Sequence, residues 1–243
     1  NTTTWVVTGD KLVYSTDTTT ATSSSNLSVA RGQVTAQSER STKAYFAGGF
    51  DLTVKYATTD KLTFSTDTTA AQASADLSTA RSAVAGSNGD STKGYWTGGT
   101  TAGVGSEVVT GEKLTYSTDT TAATSSVNLA TKRTNHQSGG DGSTLSYWFC
   151  GQTGFLITTV NKTTVSTDTT AATTSAASGG CYSAASGSDG NQLFSMGGND
   201  VSVGARASGS KIVFATDVSS GLAGGSDLTK GRQLCMGITT VAL

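Results

Sequence analysis

The chain has no proline and a single histidine, and only 14% of its 243 residues are charged, against roughly 25% in ordinary soluble domains. The absence of proline excludes a stiff polyproline linker or a mucin-type stalk, however rich in hydroxyls the sequence is. One histidine, His136, excludes a two-histidine metal site within one chain, and with it copper chemistry of that kind. The formal net charge is −1. No basic face is available to hold phosphate backbones, so no nucleic-acid partner is expected. Long apolar runs are missing too. Segments such as Trp5-Val6-Val7 and Tyr147-Trp148-Phe149-Cys150 span a few residues, where a membrane span needs about 20. The three cysteines, Cys150, Cys181 and Cys235, have no CxxC spacing and are odd in number, and are read as small buried apolar residues rather than a zinc site or a disulfide framework. The start at Asn1, with no signal-like segment, suggests a processing boundary or an upstream segment.

Threonine and glycine are abundant instead, with 46 threonines and 30 glycines. The threonines recur on a fixed register. Lys11-Leu12-Val13-Tyr14-Ser15-Thr16-Asp17-Thr18 returns as Lys61-Leu62-Thr63-Phe64-Ser65-Thr66-Asp67-Thr68 and as Lys113-Leu114-Thr115-Tyr116-Ser117-Thr118-Asp119-Thr120. Two looser copies carry Asp168 and Asp217, and the leading lysines lie 50, 52, 49 and 49 residues apart. A period of this length dictates architecture before any local motif does.

Turn chemistry and alternation divide each unit into four strands. The first begins near Arg31, Arg81 or Arg133 and runs through small residues to a turn such as Asn88-Gly89-Asp90. The second is aromatic and ends in glycine, as in Tyr45-Phe46-Ala47-Gly48-Gly49 and Tyr95-Trp96-Thr97-Gly98-Gly99. A loop of variable length precedes the third, Lys-led strand, and a Ser/Thr/Ala run forms the fourth. Such a four-stranded antiparallel meander cannot cover both its faces alone. Five of them arranged radially can, so the sequence predicts an all-β, five-bladed β-propeller spanning residues 1–243 as one domain. The fifth blade is expected to be composite. Gln233 to Leu243 would supply its inner strand, Thr4 to Gly9 a shortened aromatic strand, and Asp10 onward its outer strands.

The Arg-led small-residue strand, the aromatic strand ending in Gly-Gly and the Tyr-Ser-Thr-Asp-Thr strand resemble kelch-like propeller repeats across essentially the whole chain. The units also resemble repeats of marine and cyanobacterial phage proteins, which implies a place on tail fibres or virion appendages and an extracellular or virion-associated location. The sequence departs from the kelch pattern in lacking a consistent late-blade tryptophan. It also carries Tyr182 where the period places an arginine in the fourth unit.

The recurring Asp17, Asp67, Asp119, Asp168 and Asp217 suit a structural turn between third and fourth strands better than calcium, which takes six to eight oxygens. Arg31, Arg81, Arg133 and Arg232 suit fixed internal pairs, expected between blades. No Gly-x-Ser-x-Gly elbow surrounds His136, and Gly98 to Gly105 lacks the Lys-Ser/Thr ending of a phosphate loop. No metal, cofactor or catalytic set is therefore expected. The remaining candidates are the loops after each glycine-ended strand, residues 50–59, 100–111, 152–160 and 199–210, which should share one rim. Phe50 and Phe155 offer apolar platforms there, and Asn199 and Asp200 hydrogen-bonding groups suited to a sugar. The expected function is non-catalytic recognition of a glycan or protein surface receptor; the alternative is a structural or decoration subunit contacting neighbouring virion or fibre subunits.

Overall fold

The computed structural model describes residues 5–103, 105–200, 204–222 and 228–231. The chain opens with a two-stranded ribbon, β1 (Asp10–Val13) and β2 (Thr18–Ala21). Blade one follows with β3 (Thr35–Ser38), β4 (Lys43–Ala47), β5 (Thr59–Thr63) and β6 (Thr68–Ala71). Blade two holds β7 (Ala85–Asn88), β8 (Lys93–Thr97), β9 (Gly111–Thr115) and β10 (Thr120–Ala123). Blade three is β11 (Gln137–Gly140), β12 (Leu145–Phe149), β13 (Thr159–Thr164) and β14 (Thr169–Ala176). In blade four, β15 (Ala185–Ser188) and β16 (Gln192–Met196) are followed by a small ribbon, β17 (Asn199–Asp200) and β18 (Gly204–Ala205). Its sheet is completed by β19 (Gly209–Val213) and β20 (Val218–Gly221). Each four-stranded sheet is an antiparallel meander in chain order. The fold is an all-β propeller.

Two kinds of turn hold each meander. At the first hairpin a carboxylate caps the loop from within: Asp90 Oδ1 accepts the N–H groups of Thr92 and Lys93, and Asp141 Oδ1 those of Ser143, Thr144 and Leu145. At the last hairpin Asp17, Asp67, Asp119, Asp168 and Asp217 all take φ between 50° and 57°. This left-handed region suits Asp or Asn far better than most residues, which explains why one residue type recurs there.

The core lies in layers between blades. Consecutive strand residues point to opposite faces, so an aromatic pair serves two neighbours at once. Trp96 joins Tyr45, Leu77 and Tyr116 between blades one and two. Tyr95 joins Trp148 and Val165 between blades two and three. Tyr147 continues the series against Leu193, Ile212 and Phe214 of blade four, stacking on Phe214 with ring centroids 5.0 Å apart. Near the axis the strands pack too closely for large side chains: a Cβ on Gly86 would lie 2.5 Å from the Trp96 ring.

The ribbon β1–β2 stands in the place of third and fourth strands beside blade one. Ser24 Oγ donates to the Asp67 carbonyl as Ser74 does to Asp119 and Ser126 to Asp168 in the following pairs of blades. The segment before it differs from expectation. Leu27 N–H bonds the Val7 carbonyl as Leu77 bonds Ala57 and Leu129 bonds Val109. Residues 5–9 are thus the approach to a third strand, not a shortened aromatic second strand. Trp5 misled because its ring is used differently, packed on Phe50 and over Gly32. The expected inner strand, 233–243, lies outside the described residues, as does Arg232.

Candidate functional site

The inner strands begin around the axis with four residues in one conformation: Gln33, Ala83, Asn135 and Ser183 each have φ of 53°. Their backbones form a chain from blade to blade, in which Ala83 N–H bonds the Gln33 carbonyl (3.3 Å), Asn135 that of Ala83 (3.2 Å) and Ser183 that of Asn135 (3.0 Å). Above this chain, each loop after an aromatic strand returns beside the start of the inner strand. The bridges Gly32 to Phe50, Ser82 to Thr100, Thr134 to Gln152 and Tyr182 to Asn199 occupy equivalent places in the four blades.

The loops of blades one to three converge on a cleft of about 220 Å³ at this end of the axis. Its walls include Lys55 from the first loop, Thr100 and Glu107 from the second, Gln152 from the third and Gln33 and Asn135 from the axial chain. Lys55 Nζ reaches across to Ser82 Oγ at 2.9 Å and stands 5.3 Å from the Phe50 ring centroid. Burial lowers the Lys55 ammonium from its ordinary value. Glu107 is held in place by the Gly105 N–H on Oε1, with Lys132 Nζ 3.8 Å from Oε2. The cleft therefore combines amides, hydroxyls and charges of both signs on backbone that the axial chain fixes.

The four residues favoured for binding are placed as follows. Phe50 is half-buried between Trp5 and Lys55. Asn199 donates from Nδ2 to Tyr182 Oη at 2.6 Å, and the Asp200 carboxylate faces Arg206 at 3.5 Å. Phe155 stands out, 80% exposed at the tip of the third loop. None of the four lines the cleft itself. Lys55, Glu107 and Gln152 were missed because their loops share no motif; only their position after the glycine-ended strands could have pointed to them.

The recurring aspartates reach beyond their own turns. Asp119, in blade two, receives Lys43, Lys61 and Tyr45 from blade one. Asp168 of blade three receives Lys93, Lys113 and Tyr95 of blade two, and Asp217 of blade four receives Lys162 and Tyr147 of blade three. Lys11 on the ribbon pairs in the same sense with Asp67. Partial burial raises the Asp119 and Asp168 carboxyls, but the lysine and tyrosine bonds outweigh it and hold both at about 2. Burial also pushes the Tyr45 and Tyr95 phenols far above their ordinary value, reinforced by the carboxylates they bond.

The arginines pair within their own blades rather than between them. Arg31 meets Asp60 at 2.9 Å with both side chains fully buried, and Arg133 donates to Asn161 Oδ1 at 2.9 Å and to the Cys150 and Thr159 carbonyls. Arg81 lies 2.9 Å from Glu112, yet the contact is poorly aligned for a hydrogen bond. The carboxylates extend these pairs to the preceding unit, since Asp60 accepts Ser28 N–H and Glu112 accepts Ser78 N–H. In blade four the matching place, before the Tyr182 bridge, belongs to Cys181 and not to Tyr182. His136 is buried, with Nε2 2.9 Å from Thr97 Oγ1. Burial, with Arg133 and Arg81 nearby, lowers its pKa well below the usual value and keeps the ring neutral.

Among the described residues no helix is long and apolar enough to cross a membrane, and no group of three or more His, Cys, Asp or Glu side chains is gathered to hold a metal. No protein-family model matches the chain, and no curated protein matches it. Solved structures do. The structure of YjhT superposes with a TM-score of 0.75 over 96% of this chain and 81% of that one, at 11% identity. At this identity the likeness establishes the propeller fold and nothing of its chemistry, because one fold carries unrelated functions.

Proposed function

We propose that the chain is a non-catalytic recognition module that binds a glycan or protein surface receptor at the loop-bearing end of a five-bladed, kelch-like propeller. The observation that carries this reading is the convergence of three loops, unlike one another in length and chemistry, on one polar cleft over the axial backbone chain. Loops free of packing demands are where recognition residues accumulate on a rigid scaffold. A small cleft lined by Gln33, Asn135, Gln152 and Lys55 offers the amide and ammonium groups that sugar hydroxyls bond. The exposed Phe155 ring beside it supplies an apolar platform. The phage-like repeats favour a virion or fibre appendage as the setting.

The test is a glycan array followed by titration of any hit. Replacing Lys55, Asn135 and Gln152 together by alanine is expected to weaken binding at least tenfold while the melting temperature stays within a few degrees. Undiminished binding by that folded variant would place recognition elsewhere, and a chain that binds no glycan or receptor but assembles with fibre subunits would establish the decoration role instead.

The fifth blade is part of the same proposal. The ribbon β1–β2 supplies its outer strands, and residues 233–243 are assigned to its inner strand. Blade four supports this with a groove of about 370 Å³ along β15 and β16 that carries Phe194 and Met196. Apolar side chains at the corresponding face of the other blades are covered by a neighbour.

A further inference from the structure

Two departures from the repeat fall at touching positions. The second strand of blades one, two and four ends in Gly48-Gly49, Gly98-Gly99 and Gly197-Gly198, and the first glycine of each takes a positive φ. In blade three this place holds Cys150, at φ 58°, a conformation that a side chain adopts only at some cost. The residue it faces across the blade boundary is the one that is arginine in blades one to three and Cys181 in blade four. Backbone contact fixes the approach, since Gly151 N–H donates to the Cys181 carbonyl at 2.7 Å. Both cysteines are free thiols in this structure, and the two sulfurs lie 2.7 Å apart, closer than an ordinary van der Waals contact. Both are buried, and Cys181 borders a cavity of about 10 Å³ that Arg206 also lines.

We propose that Cys150 and Cys181 form a disulfide that staples blade three to blade four. The oxidant is a small disulfide such as oxidised glutathione. The Cys181 thiolate, its proton released to solvent, attacks one glutathione sulfur and expels the other as a thiolate. The Cys150 thiolate then attacks Cys181 Sγ and expels the second glutathione. One protein S–S bond forms, one glutathione S–S bond is consumed, and two reduced glutathiones take up the two protons. Cys181 acts first because it is the less deeply buried of the two, 6% exposed against 0% for Cys150.

The full chain, incubated with oxidised glutathione in mild urea so that both sulfurs are transiently exposed, is alkylated and digested with trypsin. The expected product joins peptide 134–162 to peptide 163–206, is absent from Cys150→Ser and persists in Cys235→Ser. The oxidised chain is expected to melt about 5–10 °C above the reduced one, the gain from closing a loop across 31 residues. Recovery of both thiols in alkylated form, a link to peptide 233–243 instead, or equal melting of the two forms would overturn the proposal.

Discussion

At the scale of single residues, the recurring aspartate performs two tasks that call for the same side chain. Its backbone closes the last hairpin in the left-handed region, and at Asp119 its carboxylate gathers two lysines and a tyrosine from the preceding blade. Asparagine separates these tasks because it tolerates the same φ but carries no charge. Asp119→Asn is expected to leave the turn intact and cost about 1 kcal/mol at pH 7, the worth of charge-assisted bonds discounted for a partly solvated site. The pH dependence follows from the direction of the shift. A carboxyl held at about 2 in the folded chain against about 3.9 unfolded stabilises the fold above pH 4, and that contribution fades as pH falls from about 4 to about 2. Urea melts at pH 7, 4 and 2 should therefore show the variant's deficit at the first two pH values and little of it at the last. A constant deficit would mean that the turn, not the ion pairs, was damaged.

At the scale of the element, the glycine-ended strand docks one blade against the next. A Cβ on Gly98, at φ 60°, would fall 2.6 Å from the Arg133 carbonyl and 2.7 Å from His136 Cε1. Gly98→Ala is expected to cost about 2–3 kcal/mol, against less than about 0.5 kcal/mol for Gly103→Ala, where nothing lies within 4 Å. Denaturant midpoints decide it, and equal midpoints would show that the blade boundary yields. The strands, the Gly-Gly ends and the Asp turn were legible in the sequence because each is a local pattern read within a few residues. What was not legible lies across blade boundaries. Lys61 and Asp119 are 58 residues apart, and no spacing rule within one repeat joins them. Counting by period also put Tyr182 in the arginine place. The irregular pairing between Thr159 and Asn161 and the eight-residue β14 change the local count in blade three. The cleft was legible only as a shared rim, because its side chains come from loops that no repeat constrains.

For the molecule as a whole, a propeller is stable only when every sheet is covered on both faces, so the decisive question is what closes the interval between blade four and the ribbon. The lysine–aspartate series runs from the ribbon to blade one and on through blade four. It leaves Lys211 at its end and Asp17 at its beginning, the two members with no ion pair among the described residues. Closure would bring them together as the fifth pair, with residues 233–243 filling the inner position against Phe194 and Met196. Two measurements follow from one geometry. A double-mutant cycle of Lys211→Met and Asp17→Asn should return a coupling near 0.5–1 kcal/mol if the ring closes, and none if its ends stay apart. If the ring closes in this way, deleting residues 233–243 would remove far more, since it would uncover one face of blade four and one of the ribbon and restore the edges that closure abolishes. The truncated chain is expected to lose its single sharp melting transition, or to melt broadly and aggregate. A truncated chain that melts as sharply as the full one, together with zero coupling between Lys211 and Asp17, would show that four blades and a ribbon are a finished fold.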